Sequence, residues 1–179
     1  MIRSSAEPWA SAMRRVSSAG TRAAGPPRMT SRRRVPSSGA ARAASQPTRS
    51  DAVLLSDADW KKRLSPSQYA VLRDEGTERA GSSALNLEKR RGRFLCAGCD
   101  LPLFDATTKF ESGTGWPSFF EPLPGAVVTK TDFKLLLPRT EYHCARCGGH
   151  QGHVFDDGPK PTGKRYCNNG VALRFEVAA

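Results

Sequence analysis

The sequence predicts a mainly β fold, an antiparallel β domain preceded by two short helices and a basic N-terminal segment. Three observations carry this. The composition changes sharply near residue 51, two helix-capping signatures follow, and beyond Gly92 short extended stretches alternate with turns marked by Gly and Pro.

Residues 1–50 hold ten arginines, no lysine and one acid, so nearly all of the chain's net charge of +11 lies there. The segment is rich in Ser and Ala and almost devoid of large aliphatic side chains. It cannot bury enough apolar area to offset its ordering entropy. It is expected to be a disordered organelle transit peptide with an undefined cleavage site, the alternative being a basic tail for acidic partners. It lacks the continuous apolar core of a secretory signal, and no stretch of the chain approaches the ~20 apolar residues of a membrane span. Residues 51–179 are nearly neutral, which argues against a nucleic-acid partner.

Within that domain, Ser56 is an N-cap candidate with Asp57 and Asp59 behind it, predicting a helix over 57–63. Ser65, Pro66 and Gln68 form a capping-box pattern and predict a second helix over 66–74. Residues 76–92 read as a polar loop. F-L-C (94–96), V-V-T-K-T (127–131), F-K-L-L-L-P (133–138), T-E-Y-H-C (140–144) and the long run R-Y-C-N-N-G-V-A-L-R-F-E-V (165–177) read as strands.

Two C-x-x-C pairs, Cys96 with Cys99 and Cys144 with Cys147, supply four soft ligands in the arrangement that a structural zinc accepts. Redox dithiols are the competing reading. The 44 residues between the pairs are too many for a nucleic-acid-binding zinc ribbon. The metal is therefore expected to join two distant parts of one fold. His150 and His153 follow at ligand spacing, but four thiolates already close a site.

Cys167 stands apart. On a strand it shares a face with Arg165 and Asn169. An arginine beside a thiol favours the nucleophilic thiolate, so Cys167 is a candidate nucleophile; a buried inert thiol is the alternative. Trp116, Phe119 and Phe120 follow a glycine-flanked turn. They can line a small apolar pocket or belong to the core, and Trp116 and Phe119 are the candidates for substrate contact. His150 and His153 are natural proton donors near neutral pH.

Taken together, C-A-G-C, K-F-E-S-G-T-G-W-P-S-F, C-A-R-C-G-G-H-Q-G-H-V-F-D-D-G-P-K-P-T-G-K-R-Y-C-N-N and A-L-R-F resemble the B-type methionine sulfoxide reductases over residues 55–176. The resemblance implies two small antiparallel sheets, barrel-like, with short N-terminal helices, and one zinc ion on the four paired cysteines away from the active site. It implies that Cys167 is the nucleophile, that Trp116 holds the substrate methyl, that His150 and His153 sit at the sulfoxide oxygen, and that Arg165 and Asn169 flank the thiolate. The implied reaction reduces methionine-R-sulfoxide, protein-bound or free, and leaves a cysteine sulfenic acid.

Four positions depart from the family pattern. Thr114 stands where many members carry a resolving cysteine, so an external thiol is expected to regenerate Cys167, either thioredoxin or glutaredoxin with glutathione. Gln151 replaces an aliphatic residue, and Asn168 and Gly170 differ on either side of Asn169. The plant plastid members look similar, including the threonine, which with the basic segment implies a chloroplast protein, a mitochondrial one being the alternative. Oxidised proteins are the expected substrates, with no nucleic-acid or membrane partner and a monomeric state. The other reading is an inactive, zinc-stabilised binding module of the same fold.

Overall fold

The computed structural model describes residues 49–132 and 138–179. The basic segment, apart from its last two residues, and most of the F-K-L-L-L-P stretch lie outside the described residues.

Helix α1 (Asp57–Arg63) starts at Ser56, whose Oγ accepts the Asp59 N–H at 3.2 Å, with acids in the first turn and Lys61, Lys62 and Arg63 in the last. Helix α2 (Pro66–Leu72) starts on a complete capping box. Ser65 Oγ accepts from the Gln68 N–H at 3.2 Å, and Gln68 Oε1 accepts from the Ser65 N–H at 3.0 Å. It stops two residues short of the expected end. The chain turns at Glu75, whose φ is 54°, and the Gly76 N–H reaches back to the Ala70 carbonyl at 2.9 Å. Trp60, Leu64, Val71 and Leu72 are buried and seat both helices on the β core. The expected polar loop contains a 3-10 turn, Ala84–Leu87, capped by Ser83.

The strands form two antiparallel sheets. The smaller has the order β2-β1-β9, from β1 (Gly92–Cys96), β2 (Pro102–Asp105) and β9 (Leu173–Val177). The larger has the order β3-β4-β8-β7-β6-β5. Its strands are β3 (Lys109–Phe110), β4 (Ser118–Phe119), β5 (Val127–Asp132), β6 (Arg139–Cys144), β7 (His150–Phe155) and β8 (Arg165–Asn168). The run expected as one strand over 165–177 is thus two, and its halves serve different sheets. Asn169 precedes a 3-10 turn, Gly170–Ala172, that carries the chain across. Glu78 holds this turn open: its carboxylate accepts the N–H groups of Gly170 at 2.6 Å and Val171 at 3.0 Å, which no strand ladder then uses.

Facing rings join the sheets. Phe94 and Phe104 of the smaller sheet meet Phe119, whose ring stacks on Phe104 at 4.1 Å and meets Phe94 edge-on at 4.9 Å. Tyr166 packs edge-on to Tyr142 at 5.3 Å on the same side of the larger sheet. Phe119 is fully buried here. The register explains why. Phe119 pairs with Tyr166 and so faces the core, while its neighbour Ser118 pairs with Cys167 and faces the opposite side. Among the described residues, no helix is long and apolar enough to cross a membrane.

Candidate active site and metal centre

The two C-x-x-C pairs form matching knuckles. After β1, the Asp100 N–H bonds the Cys96 carbonyl at 2.8 Å, with Asp100 at a φ of 58°. After β6, the Gly148 N–H bonds the Cys144 carbonyl at 2.8 Å, with Gly148 at a φ of 67°. Each turn raises its thiols towards the other pair. Cys96 Sγ lies 3.7 Å from Cys147 Sγ, Cys99 Sγ lies 3.5 Å from Cys144 Sγ, and all four are buried within 4.8 Å of one another. Four sulfurs at about 2.3 Å from a tetrahedral ion stand about 3.8 Å apart, so this quartet fits a metal ion. One knuckle extends the smaller sheet and the other the larger, so a metal here fastens the sheets together. Arg146 adds a bond to the Cys99 carbonyl at 3.2 Å.

Cys167 lies in the middle of the larger sheet. Residues opposite one another across adjacent strands share a face, and the registers line up Lys130, Glu141, His153, Cys167 and Ser118 in one row. An H-x-x-H spacing on a regular strand would send the two rings to opposite faces. A bulge at Gln151 adds one residue, so His150 pairs with His143 and returns to the face of His153. The two rings stand 5.5 Å apart, edge to face. Gly152 is required in this register, since a Cβ there would fall 1.9 Å from the Cys167 carbonyl oxygen.

A cavity of about 250 Å³ opens at this row, lined by Trp116, His153, Phe155, Cys167, Asn169 and Arg139 among others. The structure therefore brings Cys167, His153, Asn169 and Trp116 together. Two expected residues, His150 and Phe119, stand outside the cavity lining. His150 is behind His153, buried, with Nδ1 at 3.4 Å from Glu141 Oε2. Arg165 flanks Cys167, on which it acts by charge and a hydrogen bond, while its guanidinium packs over the Phe155 ring at 4.4 Å and forks onto Asp157 at 2.8 and 2.9 Å. Phe119 belongs to the core for the reason given by its register, and Phe155 supplies the aromatic wall on that side of Cys167.

Several contributors carry no sequence signal of their own. Glu78 is the clearest. Besides capping residues 170 and 171, its N–H donates to Asn169 Oδ1 at 3.0 Å and its carbonyl accepts the Trp116 Nε1–H at 3.2 Å. One loop residue thus positions two walls of the cavity. Asn169 is fixed further by its N–H and Nδ2, both donated to the Gln151 carbonyl, at 2.8 and 3.0 Å. The Gln151 side chain points the other way and donates to Cys96 Sγ at 3.4 Å. A single residue therefore touches both the thiol quartet and the cavity wall. Asn168, buried on the core face, accepts the Tyr142 hydroxyl at 2.6 Å.

Burial pushes the Cys167 thiol above its ordinary pKa; Arg165 and a hydrogen bond from Thr114 pull it down but do not prevail. Arg165 thus favours the thiolate as expected, against the larger effect of burial. Asp157, paired with Arg165, adds a smaller upward push of its own. Alkylation of Cys167 by iodoacetamide is expected to rise with pH through this raised value. Asp157→Asn frees the Arg165 charge and is expected to speed alkylation at fixed pH by about two- to fivefold, the range for one exposed ion pair. An unchanged rate would show that Arg165 does not act on the thiol. At Glu141, burial works against the charge, yet His150, Lys130 and His143 hold the carboxyl far below its ordinary value.

Comparison with known proteins agrees with this arrangement. The SelR domain matches residues 64–177. The "Peptide methionine sulfoxide reductase B1, chloroplastic" of Arabidopsis thaliana is 52% identical over 124 residues, which is 69% of this chain and 61% of that protein. The "Peptide methionine sulfoxide reductase MsrB" of Leptospira interrogans is 52% identical over 122 residues, 68% of this chain and 93% of that protein. That of Agrobacterium fabrum is 53% identical over 122 residues, 68% of this chain and 90% of that protein. With such coverage, and with the cavity, the thiol quartet and both sheets inside the matched residues, the chain belongs to the SelR-domain family of peptide methionine sulfoxide reductases.

Proposed function

We propose that this chain reduces methionine-R-sulfoxide to methionine, in oxidised proteins and as the free amino acid, with Cys167 as nucleophile. The observation that carries this reading is the direct pairing of His153 with Cys167 across β7 and β8, inside a cavity walled by Trp116. A sulfoxide sulfur is a poor electrophile while its oxygen stays basic. His153 is placed to protonate that oxygen, and the Cys167 sulfur attacks the substrate sulfur. The S–O bond breaks as oxygen passes to Cys167 as sulfenic acid, and methionine leaves. The substrate sulfur gains two electrons and the cysteine sulfur loses two. His150 holds the second place, behind His153 and against Glu141, where it steadies the donor. Trp116 and Phe155 give the substrate methyl an apolar seat, and the fixed sites for methyl and oxygen select the R epimer.

Regeneration comes from outside the chain. Of the five cysteines, four form the quartet, and Thr114 is the hydroxyl neighbour of Cys167. One external thiol condenses with the sulfenic acid and releases water, and a second reduces the mixed disulfide. Thioredoxin, or glutaredoxin with glutathione, supplies these thiols. The ion on the quartet is zinc, the choice of four buried thiolates in a closed tetrahedral site. The zinc steadies the fold and takes no part in turnover. The domain works as a monomer without nucleic-acid or membrane partners. Residues 1–50 direct it to the chloroplast, as the names of the Arabidopsis and rice relatives suggest, with the mitochondrion as the other destination.

Epimer-resolved turnover tests the reaction. The full chain, given both epimers of N-blocked methionine sulfoxide and dithiothreitol, is expected to consume the R form alone; loss of the S form, or of neither, would sink the reading. Glu78 tests the positioning. Glu78→Gln keeps one acceptor but removes the charge that holds residues 170 and 171. Weakening charge-assisted bonds costs about 1–3 kcal/mol. Stability is expected to fall by that order and kcat/KM by about tenfold, while the Cys167 alkylation rate changes little. Equal losses of alkylation and turnover would assign Glu78 to the thiol itself.

A further inference from the structure

The face that carries Cys167 holds a second group of buried ligand atoms, distinct from the thiol quartet. Glu141 and His143 on β6 and His150 on β7 are all at most 1% exposed, and one ligand atom from each lies within 4.8 Å of the others. His143 Nε2 is 3.3 Å from Glu141 Oε1, and His150 Nδ1 is 3.4 Å from Glu141 Oε2. Neither contact has hydrogen-bond geometry, so His143 Nε2, both His150 nitrogens and Glu141 Oε2 are buried without a hydrogen-bond partner. Such atoms are costly unless something else satisfies them. The His143 tautomer sharpens the point. Its Nδ1 faces the Gly148 carbonyl at 3.2 Å, and a carbonyl only accepts, so the hydrogen sits on Nδ1. In the neutral ring Nε2 then presents its lone pair to a carboxylate; a protonated ring would face it as a cation, and a metal ion takes that cation's place. A histidine that donates one N–H to a backbone carbonyl has its other nitrogen oriented to ligate a metal.

We propose that Glu141, His143 and His150 form a second metal site, for a borderline transition-metal dication such as zinc. Nitrogen and oxygen ligands at about 2.0–2.1 Å from a tetrahedral ion stand about 3.3–3.4 Å apart; each imidazole meets one Glu141 oxygen at that spacing, and all three ligand atoms lie within 4.8 Å of one another. Two imidazoles and a carboxylate suit zinc and leave one position for water. Lys130 also touches Glu141, its Nζ 3.0 Å from Oε1, but its side chain is 46% exposed and contacts Glu75 as well. Its ammonium can withdraw to water when the ion enters. The site differs from the quartet in chemistry and in holding no thiol. It stands one residue behind His153, through the His150 ring.

The obvious competitor is adventitious metal on Cys167 and His153. The untagged full chain, already holding one zinc, would be dialysed against micromolar zinc and its metal content measured. Wild type and Cys167→Ser are expected to take up a second equivalent, and His143→Gln to remain at one. No second equivalent in wild type would overturn the proposal, as would its loss in Cys167→Ser or its retention in a folded His143→Gln. If His143→Gln does not fold, cadmium NMR of Cys167→Ser decides. Two resonances, one in the four-thiolate region and one in the nitrogen–oxygen region, support the site, and a thiolate resonance alone overturns it. None of these readouts depends on enzymatic turnover, so they stand apart from the test of the reductase reading.

Discussion

Cys167→Ser is expected to bring sulfoxide reduction down to the uncatalysed background, a loss on the order of 10⁴-fold or more, with folding intact. The residue is half-buried at the floor of the cavity, and its backbone completes β8 whatever its side chain. Serine keeps the volume and the hydrogen bond from Thr114, but a hydroxyl neither attacks sulfur readily nor stores oxygen as a sulfenic acid. His153 and Trp116 remain, so substrate binding is expected to survive, measured by displacement of a fluorescent peptide sulfoxide. Residual turnover within tenfold of wild type would move the nucleophile elsewhere.

Cys144→Ser is expected to have the largest effect on the fold. Structural zinc on thiolates contributes on the order of 10 kcal/mol, as much as the whole stability of a domain this size. Cys144 ends β6, and its knuckle faces the knuckle that ends β1, so one lost ligand loosens the fastening between sheets. Circular dichroism is expected to show an unfolded or molten chain at room temperature, and a strong chelator is expected to do the same to wild type. A variant that melts within a few degrees of wild type would mean the quartet needs no metal. Gln151 gives a milder version. Its amide donates to Cys96 Sγ while its carbonyl holds Asn169, so Gln151→Leu tests whether the metal site and the cavity communicate.

The readable parts of this fold were those with local chemistry. Ser56 and Ser65 cap because a side-chain oxygen and a following N–H are neighbours in sequence, and both helices start where these residues predict. The four thiols converge because each C-x-x-C knuckle forms from its own backbone bonds. The alternation of strand and turn gave the antiparallel sheets in outline. The parts that could not be read depend on register. Nothing local to H-Q-G-H says that Gln151 bulges, and the bulge is what gathers His150, His153 and Glu141 on one face. Phe119 and Ser118 are equally plausible cavity residues until the pairing with β8 sends one inward and the other towards Cys167. Glu78 lies in a polar loop without a motif, and its contacts are with residues more than thirty positions away. The break at Asn169 in an otherwise strand-like run follows from that same distant carboxylate.

Reduction of the sulfoxide by Cys167 itself is tested most directly by a single turnover without reductant. The fully reduced chain would be mixed with excess N-blocked methionine-R-sulfoxide, quenched with a sulfenic-acid trap, and digested for mass spectrometry. One equivalent of methionine per chain is expected, with the trapped adduct on the peptide that contains Cys167 and the four quartet thiols unmodified. Methionine formed without an adduct on Cys167, or an adduct on the quartet instead, would contradict the account.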